Sequence, residues 1–154
     1  MGPSHTAFKD APLVVGGARP NTTTGTFFVK KGRVQLDKPR GAVAISGDVV
    51  VGGQGFNDCL FWTQSNQLAS GVRITLLDAG NNGAAYLDLN GHRDSARSLT
   101  MTSHNKVRTD GSNGRGGVLT VRALTVGGVK KPAGKYTAAT ESWIEGKGKV
   151  VVRP

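Results

Sequence analysis

The apolar residues of this chain come in short alternating sets, each cut off by a polar or glycine-rich corner. Leu87 and Leu89 alternate with Tyr86, Asp88 and Asn90, and Asn90-Gly91 follows. Leu99 and Met101 alternate with Ser98, Thr100 and Thr102, and Val72-Arg-Ile-Thr-Leu76 repeats the pattern. A period of two sends one set of side chains to a core and the other to solvent, so each run reads as a half-buried strand. Asn and Gly accept positive φ cheaply, so Asn90-Gly91 reads as a turn. No window carries the i, i+3, i+4, i+7 spacing of an amphipathic helix, and no run is long enough to cross a membrane as a helix.

The same unit recurs. Thr26–Lys30 and Arg33–Asp37 are strands about Gly32, with Phe27, Val29, Val34 and Leu36 inward. Asp48–Gly52 leads to a turn at Gly53-Gln-Gly55; Cys59–Thr63 follows with Leu60 and Trp62 inward, and Ser65-Asn66 is a corner. Residues 78 to 83 form another turn. Lys106–Arg108 is a short strand, and the glycine-rich stretch from Thr109 to Gly117 is the most flexible-looking loop. Val118–Val121 and Ala123–Val126 read as a strand pair. Residues 127 to 136 make a hairpin-like excursion, and Trp143-Ile144 and Lys149–Val152 close the sequence. The 23 glycines among 154 residues, with only two glutamates, suit many short strands and tight turns.

Strands of four to five residues with corners of two to six are too short for an immunoglobulin-type sandwich. They suit a parallel β-helix, in which successive rungs stack at about 4.8 Å. A repeat of about 20 to 25 residues predicts about six rungs. The expected fold is all-β, a single-stranded parallel β-helix. Residues 1–20 form a lead-in or an appended remnant, residues 21–126 the rungs and residues 127–154 a C-terminal cap. A β-sandwich or jelly roll is the alternative.

Thr24-Gly-Thr-Phe-Phe-Val-Lys-Lys-Gly-Arg-Val-Gln-Leu-Asp-Lys-Pro39 resembles the autotransporter-associated β-strand repeat, which reads T-G-T-T-x-V-x-x-G-x-L-x-L-x-K. Further similar segments follow in order: Ile45–Gly52, Gln64–Ala69, Leu87–His92, Ser98–Thr100 and Leu124–Gly128. Pro132–Thr137, Trp143–Gly148 and Val150–Val152 look like the segment that closes such arrays. The resemblance covers roughly residues 21 to 153. It implies a right-handed β-helix from a large secreted or cell-surface bacterial protein, with no catalytic residues to carry over. The chain departs from that pattern in its Lys and Arg content and in Phe28, Phe61 and Trp62.

With 20 basic and 10 acidic residues the net charge is +10. Such a surface attracts anionic polymers or membrane surfaces. The charges are scattered rather than interleaved with aromatics as in an RNA-recognition motif, which argues against nucleic acid. Cys59 is the single cysteine, so no intrachain disulfide and no cysteine-rich metal site forms; it reads as a small packed side chain. His5, His92 and His104 lack metal-ligand spacing to one another or to Cys59. No nucleophile elbow is present, and residues 111 to 117 lack the lysine of a phosphate-binding loop. Asp88 with Asp94, and Asp78 with Asp110, are the carboxylate pairs that adjacent rungs would bring near one another, though solvated corner acids explain them.

Alternation points Phe28, Phe61, Arg73 and Tyr86 outward, where aromatic rings stack on sugars and polar groups bond hydroxyls. These are the candidate ligand-binding residues; no catalytic residue, metal or cofactor is assigned. Trp62 and Trp143 read as core and cap. The expected function is a non-enzymatic extracellular or cell-surface module, a stalk, scaffold or adhesin segment. Its open rung edges predict head-to-tail homo-oligomers and filaments. The alternative is a carbohydrate-binding appendage of a secreted polysaccharide-degrading enzyme, with an anionic polysaccharide as partner.

Overall fold

A computed structural model describes residues 13–53, 57–78 and 83–154. The first twelve residues, including His5, and most of the two turns expected at Gly53–Gly55 and residues 78 to 83 lie outside the described residues. Fourteen strands are described, and no helix. They are β1 (Leu13–Gly16), β2 (Phe27–Val29), β3 (Arg33–Asp37), β4 (Val49–Val51), β5 (Asn57–Trp62), β6 (Arg73–Leu76) and β7 (Ala84–Asp88). Then come β8 (Arg93–Met101), β9 (Lys106–Arg108), β10 (Val118–Val126), β11 (Val129–Lys131), β12 (Gly134–Tyr136), β13 (Ile144–Glu145) and β14 (Lys149–Val152).

The strands stack in parallel as a β-solenoid of about four turns. On one face, Phe27, Val49, Ile74, Leu99 and Leu124 lie in register, and each step is one turn of chain. The expectation of about six rungs is slightly too high. The steps from Phe27 to Val49, Ile74, Leu99 and Leu124 already span nearly the whole stretch expected to hold the rungs.

Three faces enclose the core. The first is β1-β3-β5-β7-β9-β13. The second is β2, β4, β6 and the C-terminal halves of β8 and β10. The third begins at the Ile45–Leu68 bridge and continues through Arg93–Ala96, Val118–Val121 and β14. Because the side-chain period matches the pleat, each inward position meets its own kind on the next turn. Val34, Leu60, Leu87, Val107 and Ile144 make one such ladder, all buried. The inward assignments of Val29, Leu36, Leu60, Trp62, Leu89, Leu99 and Met101 hold, while Phe27 is only partly buried.

Two strands differ from expectation. Val118–Val126 is one strand rather than a pair, and the strand seen at Ser98 begins at Arg93. Both bend from the third face to the second, and the burial phase slips there: Ala96 and Leu99 are inward, as are Val121 and Leu124. The slip at Arg97-Ser98 and Arg122-Ala123 is what made each strand read as two elements. The loop from Thr109 to Gly117 is bonded throughout. Asp110 bridges Gly116, and Thr109 is fully buried, its Oγ1 donating to Glu145 O (2.8 Å) and accepting from Gly148 N (2.8 Å). Only glycine fits where this loop meets the next turn: a Cβ on Gly148 would strike Gly117 O.

At the C-terminal end the second and third faces finish in antiparallel strands, while β13 is the edge strand of the first face. Gly127 and Gly128, with φ of 59° and 80°, form the two-residue turn that folds β11 antiparallel onto β10. β12 then lies antiparallel to β14. The expected hairpin is thus present at β10–β11, and buried Trp143 donates from Nε1 to Glu141 Oε1 (3.0 Å).

Candidate functional site

The first face carries a band of alternating arginines, aromatics and acids on its outer side. Parallel register sets two outward columns. One runs Gln35, Phe61, Asp88, Arg108, Glu145, and the other Arg33, Cys59, Tyr86, Lys106. The columns interlock diagonally. The Arg33 guanidinium sits 4.5 Å from the Phe61 ring centre, and that of Arg108 4.2 Å from the Tyr86 ring centre. Delocalised guanidinium planes stack on aromatic faces because the ring quadrupole attracts the cation. Arg108 Nε also donates to Glu145 Oε1 at 3.0 Å. Arg33 Nε is screened from solvent and has no hydrogen-bond partner among the described residues, so stacking is what engages it.

Cys59 shows how dense this layer is. Its side chain points outward, yet it is 3% exposed. Burial, and then the Asp88 charge, push its thiol up to about 12, against the lowering effect of Arg108 and Arg33. The thiol is protonated at neutral pH and is no nucleophile. Burial likewise raises the Asp88 carboxyl above its ordinary value, opposed by the Asn90 N–H and by Arg108 and Arg33.

The four expected ligand-binding residues do not form one site. Phe61 and Tyr86 share the first face, but arginines already cover a face of each ring. Phe28 and Arg73 lie on the second face, two turns apart in the sheet and in different columns. Phe28 is 56% exposed, with Lys30 Nζ 5.2 Å from its ring centre. The backbone N–H of Arg73 donates to Asp48 Oδ1. Reading the sequence missed Arg33 and Arg108, whose signal is their place in the repeat one strand away from an aromatic, and Glu145, one strand beyond Arg108.

The acids are not paired with each other. Asp94 is buried beneath the corner between the first and third faces. Its Oδ2 accepts from Trp62 Nε1 (2.8 Å), Gln67 N (2.6 Å) and Leu68 N (3.2 Å), and its Oδ1 from Ser95 N (2.8 Å). Burial raises its pKa, and those four donors oppose the rise. Fully buried Gln67 fills a gap in the ladder like a peptide group. Its Oε1 accepts from Lys38 N (2.8 Å) and its Nε2 donates to Lys38 O (2.9 Å). Asp78 accepts from Thr102 Oγ1 and Asp110 from Lys147 N, at different corners. His92 Nδ1 lies 3.4 Å from Ser65 Oγ, and burial lowers its pKa, favouring the neutral ring. Among the described residues no group of three or more His, Cys, Asp or Glu is placed to hold a metal ion.

Two grooves bear on partners. One of about 520 Å³ lies along the bend between the third and second faces and is lined by Ser70, Ser95, Thr120, Arg122 and Arg153. Another of about 300 Å³ lies toward the N-terminal end, with Phe27 and Ile45 in its wall. No family model matches the chain, and neither a curated protein nor a solved structure matches it.

Proposed function

We propose that the chain is a non-enzymatic structural module of a secreted or cell-surface bacterial protein, the closing piece of a longer β-solenoid stalk, scaffold or adhesin. The contrast between the two ends carries this reading. At the C-terminal end, β11 and β12 run antiparallel to the stack and present Lys130, Lys131 and Pro132. Charged residues and proline discourage further strand pairing. At the other end, the first two strands leave Leu13, Val14 and Phe28 exposed, at 62%, 48% and 56%. A preceding turn of the same array would cover apolar side chains of that kind. The order of strand and corner segments similar to the autotransporter-associated repeat supports the same assignment. The antiparallel strands on the second and third faces also argue against filament growth through them.

Sedimentation over a concentration series tests the reading. The chain should stay free of long filaments, and the variant Lys130→Thr, Lys131→Val, Pro132→Thr should self-associate. A surface scaffold should also resist trypsin despite its 20 basic residues. Filaments of the unaltered chain, rapid cleavage within the solenoid, or saturable turnover of a substrate would each overturn it.

A further inference from the structure

The bend shared by β8 and β10 stacks arginines on successive turns. Val121 pairs with Ala96 and Ala123 with Ser98, so Arg122 stands opposite Arg97. Val121 also pairs with Val152, and Arg153 N donates to Val121 O (2.8 Å), which places Arg153 opposite Arg122 on the other side. Three arginines therefore stand along one edge of the solenoid on adjacent strands, whose backbones are about 4.8 Å apart. All three residues are exposed. Among the described residues the ion pairs are Arg108–Glu145 and Lys131–Glu141, and neither involves this column. Like charges on adjacent strands repel, so the column is a standing unfavourable arrangement that an anionic partner would relieve.

The groove beside the column adds the second observation. Arg122, Arg153 and Pro154 form part of its wall, Ser70, Ser95 and Thr120 supply hydroxyls, and its lining contains no acidic side chain and no aromatic ring. We propose that this edge binds a linear acidic polysaccharide, sulfated or uronic, running along the solenoid axis. Each guanidinium meets an acidic group, and the serine and threonine hydroxyls meet those of the sugars. A single-stranded nucleic acid would need stacking platforms, which this groove lacks. Duplex DNA spaces each strand's phosphates at about 3.4 Å of axial rise on a path that winds around the helix, so a straight row of arginines follows neither strand. The proposal rests on the bend alone and not on the scaffold reading above.

The test measures binding of the chain to dextran sulfate, polygalacturonate, neutral dextran and single-stranded poly-deoxythymidine as a function of salt. Dextran sulfate or polygalacturonate should bind, and neutral dextran should not. The variant Arg97→Ser, Arg122→Ser, Arg153→Ser should lose tenfold or more in affinity, with the slope of log K against log salt shallower by about two to three. The control Arg19→Ser, Arg40→Ser, Arg115→Ser removes the same charge from exposed sites elsewhere and should change affinity less than threefold. Circular dichroism confirms that both variants fold, and Arg97→Lys, Arg122→Lys, Arg153→Lys should keep most of the affinity. Equal loss in the control would reduce the effect to net charge and overturn the proposal. So would tighter binding of poly-deoxythymidine, or no binding of either acidic polysaccharide.

Discussion

Two corners of the same solenoid treat polar side chains in opposite ways. Between the first and third faces, Trp62, Asp94, Gln67 and the Lys38 backbone are buried and joined by hydrogen bonds of 2.6 to 3.2 Å. Between the third and second faces, Arg97, Arg122 and Arg153 stand in solvent with no ion pair among the described residues. A buried polar group must be satisfied within the fold, because leaving it unpaired costs its desolvation. An exposed one carries no such demand and is free for a partner. The first corner is therefore read as folding machinery and the second as surface chemistry.

Substitutions sharpen that contrast. Asp94→Ala strands the Trp62 indole and three backbone N–H groups, and should destabilise the chain by about 3–5 kcal/mol in urea unfolding. A loss under about 1 kcal/mol would put the corner's weight elsewhere. The pH dependence follows from the raised folded-state pKa of Asp94. From the ordinary carboxylate value of about 4 up to that raised value, the folded chain holds more of this proton than the unfolded one. Its contribution is full in more acidic solution and falls as pH rises through that window. The stability gap between the unaltered chain and Asp94→Ala should therefore narrow from pH 3 to pH 7.

Gln67→Met leaves the Lys38 N–H and C=O without their partners in the stack and should cost about 2–4 kcal/mol, read the same way. On the first face, Arg108→Met removes one stacked cation and an exposed ion pair, for a loss of about 0.5–1 kcal/mol. At the second corner the sign reverses. Arg122→Ser removes the middle charge of three and should raise Tm by about 1–3 °C at low salt. That gain should vanish near 1 M salt, where screening shortens to about 3 Å. A fall in Tm would show that Arg122 is held by the fold after all.

The strands were legible because a two-residue period states directly which side chains face a core. Leu60 and Trp62, or Val72, Ile74 and Leu76, need no tertiary knowledge to be placed. The Asn90-Gly91 turn was equally plain, and φ is positive at both residues. The continuity of β8 and β10 was hidden, because bending at Arg97 and Arg122 breaks the alternation that defines a strand. Stacking partners were hidden for another reason. Along the outward column Phe61, Asp88, Arg108, Glu145 the sequence separation is uneven, since corners differ in length and the hairpin intervenes. Which cation covers which ring depends on those lengths, and so does the arginine column.

The unbroken bend in β8 and β10 has a consequence for how such a chain evolves. At the other two corners, loops join the strands, and an insertion adds surface without disturbing the register. At Arg97-Ser98 and Arg122-Ala123 two residues span the whole corner, so an added residue would shift every inward side chain of that turn. Lineages can diversify this edge only by exchanging side chains. It is a row of fixed sockets, and relatives with different binding preferences should differ there in residue type at constant length.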